Sequence, residues 1–127
     1  MLRMPKPLLR KIFDHSRQAL PHECLGLLVG NGIDAINAIP LNNVSYTPEV
    51  EYLADPRQLL EALRSADKAG LEVVAIYHSH PSGPAYPSAA DRERAIWRTN
   101  YVIIDPLAEE VRAFILPDGE EVELFVE

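Results

Sequence analysis

Between Pro5 and Leu20 the polar and apolar positions alternate at helical spacing. Leu9, Ile12, Phe13, Ser16 and Leu20 share one face, and Pro21 closes the segment. Short continuous apolar runs follow. "CLGLLVG" ends at Gly30, and "IDAINAI" comes after Asn31-Gly32, a pair that satisfies a tight hairpin turn. "PLNNVSYTPEVEYLA" is less regular and reads as a turn, then an extended segment ending near Tyr52 or Leu53. Asp55 and Pro56 open a second helix: Asp55 suits the cap, Pro56 the first helical position, and Gln58 completes a box-like start. Leu59, Leu60, Leu63 and Ala66 supply its core face, and Gly70 stands where a left-handed residue ends a helix. "LEVVAIYH" is almost wholly apolar and β-branched, as expected of a central strand covered on both faces. A Gly/Pro-rich loop follows, then a third helix predicted from Ser88 to about Trp97, then another buried strand, "NYVIID". "EEVRAFIL" and "EEVELFVE" flank "PDG" and predict a closing hairpin. The pattern predicts a single α/β domain over residues 1–127, a mixed central sheet flanked by about three helices.

Composition narrows the partners. A chain of 127 residues can bury roughly two-thirds of its unfolded surface, enough for a core without staples. Net charge is −7, from 12 basic against 19 acidic side chains, which argues against nucleic acid or an anionic membrane held by charge. Cys24 is the single cysteine, so there is no intrachain disulfide and no C-x-x-C pair. Neither a signal-peptide-like apolar run near Met1 nor a stretch of about 20 apolar residues is present. A cytoplasmic protein with no membrane partner is expected.

The candidate chemistry lies in "HSHPSGPAYPSAAD", residues 78–91. His78 and His80 have the same parity, so both imidazoles face one side of the sheet if strand geometry persists to residue 80. Asp91 falls in the first turn of the third helix, which the stiff Pro/Gly loop can fold back over the strand end. Two histidines and an aspartate make the three protein ligands of a catalytic zinc site, with a fourth position left for water. Imidazole nitrogen also suits Zn²⁺ better than Mg²⁺ or Ca²⁺. "SAAD" reads equally as a plain capping box, with Ser88 as cap and Asp91 returning the bond. The two readings coexist, since a helix-start carboxylate can still face a metal. Hydrolysis also needs a proton carrier beside the ion. Most acidic residues read as solvated: Glu121, Glu123 and Glu127 alternate outward, and Glu61 lies off the helix core face. Glu23 differs, because "PHECLGLLVG" puts it at the mouth of a buried strand, although a surface glutamate fits there too.

With Glu23, His78, His80, Ser88 and Asp91 in view, the chain resembles the JAMM (MPN+, Mov34/PAD-1-type) zinc metalloprotease family. The match rests on E-x-x-G-x-L in "ECLGLL", H-[ST]-H-P in "HSHP", a loop of the expected length, and S-x-x-D in "SAAD". The resemblance implies a cytidine-deaminase-like (MPN/JAB) α/β fold. It implies one Zn²⁺ on His78, His80 and Asp91, Glu23 as general acid/base, and Ser88 as hydrogen-bond donor to the oxyanion. The short region between Glu23 and His78 leaves little room for ubiquitin-gripping insertions, so the chain looks like the stand-alone prokaryotic members. Those cleave peptide or isopeptide bonds at the C-terminal Gly-Gly of ubiquitin-like or sulfur-carrier proteins. An extended substrate tail would need a strand edge, and "NNVSYTPEVEYLA" is the candidate, with Tyr46 and Tyr52 as contacts and Tyr86 near the metal loop.

Three rival readings share parts of the pattern. A RadC-like protein has a similar H-x-H-P-S-G loop, a phage-tail-type peptidase shares the site, and a non-catalytic MPN scaffold shares the fold but normally lacks the ligands. A cytidine deaminase is excluded, because it needs H-x-E and P-C-x-x-C. Cys24 is expected to pack as a small hydrophobe. His15 is expected in solvent, and Trp97 is expected to pin the third helix to the sheet. The sequence leaves the oligomeric state open.

Overall fold

The computed structural model describes residues 1–95 and 97–127. Among them, the elements run β1 (Leu2–Met4), α1 (Lys6–Ala19), β2 (Leu25–Asn31), β3 (Asp34–Leu41), α2 (Pro56–Lys68), β4 (Glu72–Ser79), α3 (Ala89–Arg94), β5 (Thr99–Asp105), β6 (Glu110–Leu116), β7 (Glu120–Val122) and β8 (Leu124–Val126). They form one mixed sheet of order β7-β6-β5-β4-β2-β3-β1-β8. The β4–β5, β3–β1 and β1–β8 pairs are parallel and the remaining pairs antiparallel. The apolar run of β4 lies between β2 and β5, as a strand with two covered faces should.

The sheet is strongly rolled. β7 and β8 occupy opposite ends of the strand order, yet only Glu123 separates them in the chain. Flat, eight strands would hold their outermost members about 33 Å apart. One intervening residue spans a fraction of that, so the two ends curl towards each other around α1. Leu8, Ile12 and Phe13 of α1 fill the concave side against Leu28, Tyr77 and Ile104. Ala62 and Ala66 of α2 cover Leu25, Leu27, Val29 and Leu41 on the convex side.

Several expectations change for identifiable reasons. β1 was not anticipated: three residues are too few for a periodicity signal, although Leu2 and Met4 are buried and Arg3 is exposed, as a strand demands. In α1 the fully buried leucine is Leu8, with Leu9 and Leu20 only partly covered. On α2, Leu59, Leu63 and Ala66 pack on the sheet as expected, but the buried place beside them goes to Ala62 and Leu60 remains 48% exposed. Asp55 caps α2, accepting from the Arg57 and Gln58 amides, and Gly70 takes the expected left-handed backbone at φ 72°. Gln58 does not close a box; its Oε1 accepts from the Asn42 amide at 2.7 Å. The closing hairpin stops at Val122, and the rest of "EEVELFVE" crosses to β1 as β8. The "NNVSYTPEVEYLA" segment is not a strand. It is an irregular loop closed by one bridge, Asn43 to Ala54. The third helix ends at Arg94; its predicted course to Trp97 passes through Ile96, outside the described residues. Trp97 is 40% exposed and lines a groove rather than sealing a helix to the sheet. His15 is half-buried, 2.8 Å from the Tyr77 hydroxyl through Nδ1, because the phenol extends over Gly26 on the α1 side of the sheet to reach it. No described helix is long and apolar enough to cross a membrane.

Candidate metal centre

Strand geometry carries past the end of β4. The His80 amide donates to the Ile104 carbonyl at 2.8 Å, so the ladder to β5 continues one residue beyond Ser79. This keeps His78 and His80 on one side, and their Nε2 atoms lie 3.2 Å apart. The chain then turns sharply: Gly83 donates to the His80 carbonyl at 2.8 Å and adopts φ 60°, a backbone in which a side chain would be strained. A Cβ there would also strike the Asp105 carboxylate.

Ser88 then caps α3, and the capping box is complete. Its Oγ accepts from the Asp91 amide at 3.0 Å, and Asp91 Oδ2 accepts from the Ser88 amide at 2.9 Å. The box does not turn Asp91 away from the histidines. The same Oδ2 lies 3.3 Å from His78 Nε2 and 3.0 Å from His80 Nε2. One short helix start therefore caps α3 and brings a carboxylate oxygen to both histidines.

These spacings bear on an ion directly. Ligand atoms about 2.0–2.1 Å from a tetrahedral centre lie about 3.3 Å from one another. The three atoms here, separated by 3.0–3.3 Å, have the mutual spacing of ligands sharing one small cation. His80 Nδ1 faces the Pro84 carbonyl at 2.8 Å, which places its proton there and leaves Nε2 as the lone-pair donor. His78 is fully buried, with the Tyr52 ring 4.5 Å from its own, centroid to centroid.

Glu23 approaches from the loop between α1 and β2. Its ligand oxygen and the two imidazole nitrogens lie within 4.8 Å of one another, close enough for all three to meet one ion. Glu23 is only 5% exposed, and its Oε1 is buried without a hydrogen-bond partner among the described residues. An orphaned carboxylate oxygen beside a convergent ligand set is the pattern expected where water and a cation complete a site. Burial pushes the Glu23 carboxyl up to about 7, a pull that nearby His80 partly offsets. Without an ion, burial would also raise Asp91, but hydrogen bonds from His78 and from His80 in its protonated form prevail and hold it well below the ordinary carboxylate range. Burial lowers His78, whereas Asp91 and Pro84 outweigh burial at His80 and raise it. A bound dication would favour the charged carboxylates and neutral imidazoles throughout.

The sequence reading overlooked two supporting residues. Ser79, between the histidines, is fully buried and accepts the Cys24 amide at 2.8 Å, tying the Glu23 loop to the histidine strand. Its position inside H-S-H was the only available signal. Gly26, in E-x-x-G, has the Tyr77 phenol lying across it; an added Cβ would sit 2.4 Å from that ring. Cys24 is buried, as expected of a packed thiol, and burial pushes it up to about 11.

The structure separates the three tyrosines. Tyr52 touches His78 and also lines an apolar groove of about 640 Å³, beside Leu25, Leu27, Ile76, Trp97 and Tyr101. Tyr46 is fully exposed. Tyr86 packs edge-on to Phe114 at 5.3 Å and under Arg112, so its nearest aromatic neighbour belongs to β6.

Residues 5–116 match the family model for prokaryotic homologs of the JAB domain. A "Probable TtuB-protein conjugate cleaving protease" of Thermus thermophilus is 45% identical over 99% of this chain and 83% of its own length. A "Desampylase" of Haloferax volcanii is 40% identical over 68% of this chain and 66% of its own. A "CysO-cysteine peptidase" of Mycobacterium tuberculosis is 34% identical over 83% and 75%. Among solved structures, a Desulfitobacterium hafniense protein superposes with TM-score 0.87 and 36% identity, covering 100% of this chain and 93% of the other. A JAB1/MPN domain protein from Archaeoglobus fulgidus shares the fold with TM-score 0.70 and 22% identity, over 99% and 97%. On the matched span, the motif residues and the rolled mixed sheet, the chain belongs to the prokaryotic JAB (JAMM/MPN) domain family.

Proposed function

We propose that this chain is a cytoplasmic, single-domain zinc metallopeptidase. It hydrolyses peptide or isopeptide bonds at the C-terminal Gly-Gly of ubiquitin-like or sulfur-carrier proteins. The observation that carries the reading is the convergence of His78 Nε2, His80 Nε2 and Asp91 Oδ2 at 3.0–3.3 Å beneath an unpartnered Glu23 oxygen. Three relatives whose names describe proteases, peptidases or conjugate removal support the substrate class.

His78, His80 and Asp91 would hold one Zn²⁺, which, when bound, polarises the scissile carbonyl and makes a water acidic enough to attack near neutral pH. Glu23 takes a proton from the attacking water and returns it to the departing amine as the C–N bond breaks, so atoms and protons balance without a covalent intermediate. Its raised affinity for protons suits both halves of that transfer. Ser88 spends its oxygen lone pair on the Asp91 amide, which leaves its hydroxyl proton free for the developing oxyanion. Tyr52, on the groove wall beside His78, contacts the substrate tail, with Tyr46 and Tyr86 as outlying contacts.

The test is metal analysis of the purified protein together with cleavage of a carrier protein extended past its Gly-Gly. The expected result is about one zinc per chain and release of the extension. Zinc without cleavage would overturn the reading in favour of a RadC-like or scaffold role.

A further inference from the structure

The loop between Asn43 and Ala54 has almost no backbone ladder, yet it is closed and ordered around one side chain. Asn43 Nδ2 donates to the Glu23 carbonyl at 3.0 Å and the Glu51 carbonyl at 2.9 Å, with Pro48 O at 3.5 Å. Its Oδ1 accepts from the Ser45 and Leu53 amides, both at 3.1 Å. Donor and acceptor ends cannot be exchanged, because three carbonyls face one end and two amides the other. The loop also takes the Glu23 amide, which donates to the Pro48 carbonyl at 2.7 Å. Both backbone polar groups of Glu23 are therefore held by this loop, while its side-chain Oε1 has no partner among the described residues.

We propose that Asn43 is the positioning residue for Glu23: it fixes the backbone from which the carboxylate reaches the histidine cluster. The proposal rests on Glu23 acting in the reaction proposed above. A carboxylate without a side-chain anchor is aimed by its backbone alone. An error of about 1 Å in such a group can cost on the order of a hundredfold in rate. The same loop carries Tyr52 to His78, so Asn43 sets two walls of the site from outside it.

Two variants separate positioning from loop folding. Asn43→Ala removes both ends of the side chain. Asn43→Asp keeps an acceptor for Ser45 and Leu53 but replaces the donor facing Glu23 with an oxygen. If Asn43 served only the loop, either replacement would loosen the loop, since Nδ2 also holds the Glu51 carbonyl, but would leave kcat at the wild-type value. Positioning requires both variants to lower kcat, by roughly 10–100-fold, with KM changed less than about threefold and zinc content retained. Amide hydrogen exchange gives a readout independent of cleavage. Exchange at Glu23 should accelerate at least about tenfold in both variants, with Leu28 in β2 unchanged. Wild-type kcat in Asn43→Asp, or unaltered exchange at Glu23, would each overturn the proposal. If the wild-type protein binds zinc but cleaves no carrier fusion, the proposed reaction fails, and with it the positioning role; the exchange data would then report only a structural tether.

Discussion

Replacing Asp91 by alanine should remove most of the stabilisation that the proposed zinc would confer, and the size of that loss can be worked out beforehand. Melting entropy is about 2.1 cal/mol/K per residue, so 127 residues give about 270 cal/mol/K. Free zinc at about a hundred times Kd stabilises the native state by about 2.7 kcal/mol, which raises the wild-type midpoint by about 10 °C. Asp91→Ala leaves two imidazoles and no third ligand at the 3.0–3.3 Å spacing. A hundredfold loss of affinity brings zinc only to its Kd, worth about 0.4 kcal/mol, or a rise of about 1.5 °C. The difference between melts with and without zinc is the useful quantity, because the variant also loses half its capping box and melts lower in both conditions. Glu23→Gln is the control: with His78, His80 and Asp91 as the ligands proposed above, this variant should keep the rise of about 10 °C. Differential scanning calorimetry with chelator and with zinc reads all three. An undiminished rise in Asp91→Ala, or its disappearance in Glu23→Gln, would refute the assignment of ligand and base.

Glu23→Gln should bind zinc and lose roughly 10²–10⁴ in kcat, measured on the extended carrier. In the metal-free protein the Glu23 carboxyl, pushed up to about 7 by burial, holds a proton that the unfolded chain releases at lower pH. The native state thus binds more protons between the two values, and wild-type stability falls as pH rises through that window. Glu23→Gln should remove this fall and exceed wild type by about 3 kcal/mol at pH 8 but not at pH 4, read by urea denaturation in chelator. Ser79→Ala strips the partner from the buried Cys24 amide and should cost about 1–3 kcal/mol on the same assay. Gly26→Ala drives a methyl into the Tyr77 ring, which is fully buried and cannot swing aside, and should cost about 1–3 kcal/mol or prevent folding.

Local pattern carried much of this protein. The central strand that carries His78, the cap at Asp55 and the left-handed Gly70 each follow from one or a few residues whose chemistry decides their own backbone, while the hairpin turn falls one residue later than expected, on Gly32 and Ile33, with Asn31 paired to Asp34. The His78–His80 parity is of the same kind, since alternation along a strand is a local property. Where an element depended on what packs against it, the pattern misled. Leu60 looked like core because it lies near Leu59 and Leu63, which do pack on the sheet, but it stays 48% exposed while Ala62 takes the buried place. His15 looked solvated, but the Tyr77 hydroxyl, on the α1 side of the sheet, reaches it. "EEVELFVE" has the alternation of one strand, and nothing in it reveals that Glu123 is where the chain leaves one end of the sheet for the other.

Sequence alone supplied the proposed donor set: two imidazoles at strand spacing, a carboxylate at a helix start and a stiff loop between them, because these are fixed by residue type and short separations. Only the tertiary structure decided that Asp91 can cap α3 and meet both histidines with one oxygen, and that Glu23 arrives with its own oxygen unpartnered. It also decided that residues 43–54 serve as a brace rather than a strand. The physical reason is distance along the chain. Hydrogen bonds between Asn43 and Glu23, or between Ser79 and Cys24, join segments 20 and 55 residues apart. No local preference encodes such a meeting; it exists only once the rolled sheet has brought those segments together.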